Sequence, residues 1–465
     1  MSKILTGILV LFLAAPLAAQ QRTDTATAAD AAEEQSSRID IGGYGSFRLD
    51  GSDAGEDDPS FTLRRFVVTT DAHLGERFQV YSEIELERLS EIEVEREAKR
   101  TDGGVRFEQE LEGTNGSEIA LEQAWVQWNF TPEIGVRFGA VLPPVGRFNL
   151  LHDDDLWNLP RRPLVDREAQ VLPASAAWTE MGLGVVGTTF LDSGVRLAWQ
   201  AYLLNGVTLD FAIEEIVQTR DPSRDKLELE AVVRPRSGAF DGSNTADAVA
   251  ARFEVSPALG SEFAISGYLG RYTPDFLDDV DESITTLGLD GRQQLGGFVL
   301  EGEFLYTRYG GVDEVLASFA RAVGEQASET TSEETANLEA EIETELTGLA
   351  DRRYGFWADL TRPIPLRPGT LGLADATLIP VLRYERVWLD DDLQELDFTG
   401  GVITEAIRAD RSQDRLSVGF ALRPIPQAVI QLVYERSHAY DGALIAPASD
   451  DDTVNGFALG MAVGF

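Results

Sequence analysis

Residues 143–177, "PPVGRFNLLHDDDLWNLPRRPLVDREAQVLPASAA", set Arg147, Arg161, Arg162 and Arg167 beside Asp153, Asp154, Asp155 and Asp166. Charges of both signs in one short segment can steer and screen ions, provided the segment is held inside a water-filled passage. The same stretch carries Leu150, Leu151, Leu156, Trp157, Leu159, Leu164 and Val165. A plain surface loop has little use for so many apolar side chains. The segment is expected to pack against something, either a lumen wall or neighbouring loops.

Other chemistry finds less support. There are three histidines, His73, His152 and His438, and none has a serine or aspartate partner at a telling spacing. A hydrolase needs such a constellation, so no enzyme is expected. Without cysteine, the chain has no disulfide and no thiolate metal site. Aspartates cluster at Asp57–Asp58, Asp278–Asp279, Asp390–Asp392 and Asp450–Asp452. Hard cations take carboxylate oxygens, but no cluster has the spacing of a calcium loop. They are read as solvated surface, and neither metal nor cofactor is expected.

The elements that must position these charges have a period of two. In 78–87, "FQVYSEIELE", Phe78, Val80, Ile84 and Leu86 share one face, and Gln79, Tyr81, Glu83, Glu85 and Glu87 the other. The stretches 134–142, 195–204 and 415–423 alternate in the same way. Such alternation marks strands with one apolar and one polar face. Sixteen such segments lie near 39–49, 61–74, 78–88, 119–130, 134–142, 178–190, 195–204, 246–255, 261–272, 283–291, 296–309, 352–361, 376–388, 413–423, 427–438 and 453–465. Pro380 fits the thirteenth only at a bulge or a locally unpaired site.

Connections alternate between short turns, such as "TPE" at 131–133 and "LDSG" at 191–194, and long loops, such as 89–118, 205–245 and 310–351. Short turns at one end and long loops at the other are the signature of an outer-membrane barrel. The expected fold is all-β: a 16-stranded antiparallel transmembrane β-barrel with short periplasmic turns and long extracellular loops. In 310–351, both "VDEVLASFARAVGEQ" and "EETANLEAEIETELTGLAD" have helical character, so extracellular helix is expected there.

Lys3 followed by the apolar run Ile4–Ala15 and the small pair Ala18–Ala19 reads as a signal peptide over 1–19. Residues 20–38 read as a flexible lead-in, and the barrel occupies 39–465. The chain ends "NGFALGMAVGF", a lipid-facing strand finishing on Phe465. That ending is similar to the signal the barrel-assembly machinery recognises. The expected surroundings are outer-membrane lipid and lipopolysaccharide of a Gram-negative-type bacterium. Against 39 Lys+Arg stand 79 Asp+Glu, a net charge of −40 that excludes nucleic acid as a partner.

The hairpin "TLRRFVVTTDAHLGERFQVYSEIE" and the run "LEQAWVQWNFTPEIGVRFGAVLPPVGRFN" at 121–149 resemble the phosphate-selective porin O and P family. There an Arg-bearing strand precedes an acidic one, and a later strand runs into a Gly- and Pro-containing corner similar to Gly139–Gly146 here. The resemblance implies 16 strands, a homotrimer and a constricting third loop. The family's anion-selective members line their pores with lysine and arginine, whereas this chain has only Lys3, Lys99 and Lys226.

Strand parity points Arg48, Arg65, Arg137, Arg196, Arg252, Arg383 and Arg415 into the lumen, with Glu83, Glu85, Glu254, Glu301, Glu303, Glu385 and Glu435. The candidate pore-lining and constriction residues are Arg65, Glu83, Glu85, Arg137, Arg147, Asp153, Asp154, Asp155, Arg161, Arg162 and Arg196. The expected function is passive diffusion of small hydrophilic solutes and ions, with weak selectivity leaning to cations and no tight phosphate site. A phosphate-specific porin and a non-channel adhesin or receptor barrel are the alternatives.

Overall fold

The computed structural model describes residues 38–465 except 55–58, 88–91, 102–103, 114–117, 176, 222–223, 238–245, 331–336, 345–348, 400–401, 446 and 448. The segment 1–19 read as a signal peptide and nearly all of the expected lead-in 20–38 lie outside the described residues. Arg38, assigned to the lead-in from sequence, already opens the first strand.

Sixteen strands form the wall. They are β1 (Arg38–Ser52), β2 (Ser60–Leu74), β3 (Phe78–Glu87), β4 (Glu118–Thr131), β5 (Ile134–Val141), β6 (Glu180–Phe190), β7 (Arg196–Leu204) and β8 (Ala248–Ala258). The rest are β9 (Ser261–Arg271), β10 (Ser283–Leu295), β11 (Phe298–Tyr309), β12 (Arg352–Thr361), β13 (Thr377–Trp388), β14 (Gln413–Ile425), β15 (Ala428–Ala439) and β16 (Thr453–Gly464). Each pairs antiparallel with its neighbour. The sheet closes where β16 meets β1, from Tyr44 opposite Gly464 to Ser52 opposite Gly456. Closure removes the unpaired edges that lipid could not satisfy.

The alternation read from sequence sets the two faces. Phe457, Leu459, Met461, Val463 and Phe465 are exposed on the outside of β16, while Ala458 and Ala462 are buried inside. Phe465 donates its N–H to Gly43 O at 2.9 Å and stacks on Phe66 at 6.2 Å. The terminal aromatic thus seals the β16–β1 junction. No described helix is long and apolar enough to cross a membrane.

Pro380 meets the condition set for it. Arg362 N–H donates to Pro380 O at 3.2 Å, so the proline's N side faces the same neighbour. There the ladder to β12 ends at Thr361–Val381 and resumes with Ile364–Leu378. No donor is needed at the gap.

The long loops hold more strand than expected. Hairpins form at Ile92–Thr101 with Gly104–Gly113, at Thr208–Asp221 with Arg224–Arg236 and at Asp392–Thr399 with Val402–Ala409. Within 310–351, Val312–Thr330 is helical as expected. The Glu-rich second piece is not: Asn337–Thr344 is a strand, parallel to Arg224–Arg236 and antiparallel to Asp392–Thr399. Local helix propensity there gives way to a sheet edge that needs a partner.

Candidate functional site: a loop folded into the barrel

Segment 143–177 leaves β5 and turns inward. Gly146 begins the turn at φ 77, a conformation suited to glycine. Its N–H donates to Ser266 Oγ on β9 at 3.2 Å. The Arg147 and Phe148 N–H groups both donate to Glu303 of β11, Phe148 at 2.9 Å. Further on, Leu164 N–H donates to Glu385 of β13 at 2.8 Å. Asp154 accepts from Ser46 of β1 at 2.6 Å. Gln431 of β15 donates to Trp157 O at 2.9 Å. Arg423 of β14 holds the carbonyls of Asp155, Leu156 and Trp157 at 2.9–3.1 Å.

These partners lie on inward faces around most of the wall, so the loop spans the lumen. Most of its apolar residues are buried there: Phe148, Leu159, Leu164, Val165, Val171 and Leu172 are at most 3% exposed, whereas Leu156, expected to pack, stays 51% exposed. Glycine on the wall makes room for the loop, since a Cβ on Gly460 would come 2.6 Å from Pro160 Cβ. The chain folds as a porin-type barrel.

No family model matches the sequence. An uncharacterized protein of Aquifex aeolicus (strain VF5) is 28% identical over 169 residues, which make up 36% of this chain and 32% of that protein. The match therefore spans about a third of the relative's length. The outer membrane channel DcaP of Acinetobacter baumannii is similar at a TM-score of 0.46 and 10% identity, over 93% of this chain and 99% of DcaP. Salmonella typhi OmpF, in complex with daunomycin, gives 0.47 and 10% over 92% and 97%. Vibrio cholerae OmpT in its trimer form gives 0.44 and 9% over 92% and 99%.

Within the porin-type barrel, the wall charges selected by parity all point inward, and the loop divides them into two settings. At loop level they are dry and paired. Arg65 is fully buried, 2.9 Å from Glu85 and 3.5 Å from Glu87. Arg383 binds both oxygens of Asp359 at 2.6 and 2.8 Å and donates to Arg161 O at 3.1 Å. Arg415 bridges Glu385 at 3.1 Å and Arg162 O at 2.6 Å. Arg161 reaches back to Asp50 at 2.9 Å and to Glu435. Arg162 lies 3.6 Å from Asp166. Guanidinium forks suit these sites because each satisfies a carboxylate and a loop carbonyl together.

Towards the short-turn end the lumen residues are wetter. The side chains of Arg196 and Glu262 are each 28% exposed, against 0% for Arg65. Arg196 pairs with Glu254, and Arg147 pairs with Glu262 and Glu301. Arg137 differs. It binds Gln127 Oε1 at 2.8 and 3.0 Å and lies 3.8 Å over the Trp125 ring. Among the described residues it has no carboxylate partner, so its charge stays available to the lumen.

Two residues escaped the parity reading because each is the extra residue of a bulge. Ser46 pairs with Arg65 and Phe47 with Leu63, which leaves Arg64 unpaired between them. Glu83 pairs with Gln123 and Ile84 with Leu121, which leaves Glu122. Both are buried at 8% and 4% exposure. Bulges re-aim side chains in this way. The sequence trace is the broken alternation in "LRRF" and "LEQA".

Glu122 meets His152 of the loop at 3.1 Å, and one ligand atom each from Glu83, Glu122 and His152 lies within 4.8 Å of the others. Glu83 accepts from Gln123 Nε2 at 2.6 Å and Tyr81 O–H at 3.2 Å. Burial works against a charge on His152, but the attraction and hydrogen bond of Glu122, helped by Asp153 and Glu83, carry its pKa up to about 9. Burial likewise opposes ionisation of Asp154, yet Arg65, Arg162 and Arg64 hold its carboxyl below the usual range.

Proposed function

We propose that the protein is an outer-membrane porin for passive diffusion of small hydrophilic solutes and ions. In this reading the short turns are periplasmic, the long loops are extracellular, and segment 143–177 sets the narrowest point. The observation that carries it is the infolded loop, hydrogen-bonded to inward residues from β1 to β15 inside a closed wall. An adhesin has no need to organise its lumen in this way. Assembly as a homotrimer in lipopolysaccharide-containing membrane, through recognition of the strand ending at Phe465, belongs to the same proposal.

Selectivity should be weak and lean to cations. Most lumen arginines are neutralised by carboxylates, and the acidic long loops raise the local cation concentration at the mouth. Arg137 offers a counterweight, which is why the lean is small. No tight phosphate site is expected, since the loop-level arginines already hold carboxylates and carbonyls. The test is single-channel conductance in a planar bilayer, with zero-current potential across a KCl gradient. A folded preparation with no discrete openings would end the channel reading. Strong anion preference, or chloride current blocked by micromolar phosphate, would restore the phosphate-specific alternative.

A further inference from the structure

Arg308 and Arg352 stand directly opposite each other across the β11–β12 pair. Both lie on the outward face, in line with the exposed Phe304 and Leu360. Like charges directly opposite on a sheet repel and destabilise the pair. Neither guanidinium makes an ion pair or hydrogen bond among the described residues. The two arginines line a concavity of about 330 Å³ together with Tyr306, Tyr309, Gly311 and Asp351.

Height along the wall is the second observation. Each arginine lies two positions beyond a tyrosine of the same face, Tyr306 or Tyr354. Those tyrosines belong to an outward aromatic belt, in which Tyr354 stacks on Trp388 at 4.9 Å and Phe356 lies 5.9 Å from Tyr384. Aromatic belts mark the headgroup level of a membrane protein. A two-residue step is about 6.6 Å along a strand. The arginines therefore sit just on the long-loop side of the belt, where lipid phosphates lie.

We propose that Arg308 and Arg352 form a binding site for the phosphomonoester headgroup of an outer-leaflet lipid. Two guanidinium forks converge on one doubly charged phosphate, which relieves their mutual repulsion. Asp351 in the same concavity opposes any anion, so the attraction rests on the two guanidinium forks. The placement in the outer leaflet rests on the membrane orientation proposed above, but the site does not depend on channel activity.

The test uses the full-length protein in neutral detergent, titrated with short-chain phosphatidic acid and read by native mass spectrometry. The wild type should hold one lipid that R308Q/R352Q binds at least about tenfold more weakly, because two charge-assisted contacts are lost. R308K/R352K should recover part of the affinity, since it keeps the charge without the fork. Inorganic phosphate should compete poorly. Equal binding by wild type and R308Q/R352Q would overturn the proposal. So would inorganic phosphate displacing the lipid at equal concentration, which would make the site one for a soluble anion. Unchanged heat-modifiable migration of R308Q/R352Q would show that the variant is folded, a control that keeps this result separate from the porin reading.

Discussion

His152 Nε2 lies 3.1 Å from Glu122 Oε2, while His152 Nδ1 lies 2.9 Å from Asn149 O. Both ring nitrogens face acceptors, so the imidazolium fits better than either neutral tautomer. The contact ties the infolded loop to the bulge of β4. Because the His152 pKa is raised, to about 9, its contribution is fully present below about pH 6.5 and is lost as pH rises through the folded value. His152→Gln should lower stability by about 3 kcal/mol at low pH, in the range for one partner of a buried pair. The deficit relative to wild type should shrink at pH 10. Melting curves in detergent at pH 6 and pH 10 measure this, and equal deficits at both would count against a charged His152.

Removing residues 152–166 should raise conductance while the barrel still assembles. The wall ladders do not depend on the loop, and the arginines it covers, Arg383 and Arg415, keep Asp359 and Glu385 as partners. Heat-modifiable migration checks folding, and bilayer recordings read the pore. Unchanged conductance would mean that this loop does not limit flow.

Arg137→Glu should raise the cation-to-anion permeability ratio by about twofold or more, since it reverses a lumen charge that no carboxylate among the described residues neutralises. Arg252→Gln makes a poor comparison for selectivity, because Arg252 is clamped by Asp290 at 2.6 and 2.8 Å and its loss strands a buried carboxylate. Zero-current potentials report the Arg137 effect; a potential identical to wild type would remove this residue from the conducting path.

A tag at Asp451 should be reachable on intact cells, and one at Asp192 should not. Asp451 lies in the long connection between β15 and β16, and Asp192 in the short turn between β6 and β7. Antibody labelling before and after permeabilisation decides it. Surface labelling at Asp192 would invert the orientation on which the outer-leaflet lipid site also rests.

All sixteen wall strands were legible, because lipid outside and water inside impose a period of two on every spanning segment. Even the strand with the weakest pattern, near 283–291, is present as Ser283–Leu295. The loop hairpins were less legible. Thr208–Asp221 and Asn337–Thr344 belong to a separate sheet built from the long connections, outside the closed wall, and their pairing depends on which loops meet. Of the candidate site residues, Arg65, Glu83, Glu85, Arg137 and Arg196 followed from parity. Arg64 and Glu122 did not, because a bulge adds one residue and hides it from a strict alternation.

The sequence by itself determined the barrel, its strand count and the inward or outward sense of each regular position, since these follow from side-chain periodicity and local turn length. Tertiary structure alone decided which charges are neutralised. Arg137 and Arg383 look alike in sequence, each an arginine on an alternating strand. Arg383 is held by Asp359 from the adjacent strand and by a carbonyl of the loop 222 residues away in sequence. Arg137 lies over Trp125 with no carboxylate partner among the described residues. Electrostatic effect depends on distance and desolvation, and neither exists until the loop has crossed the lumen.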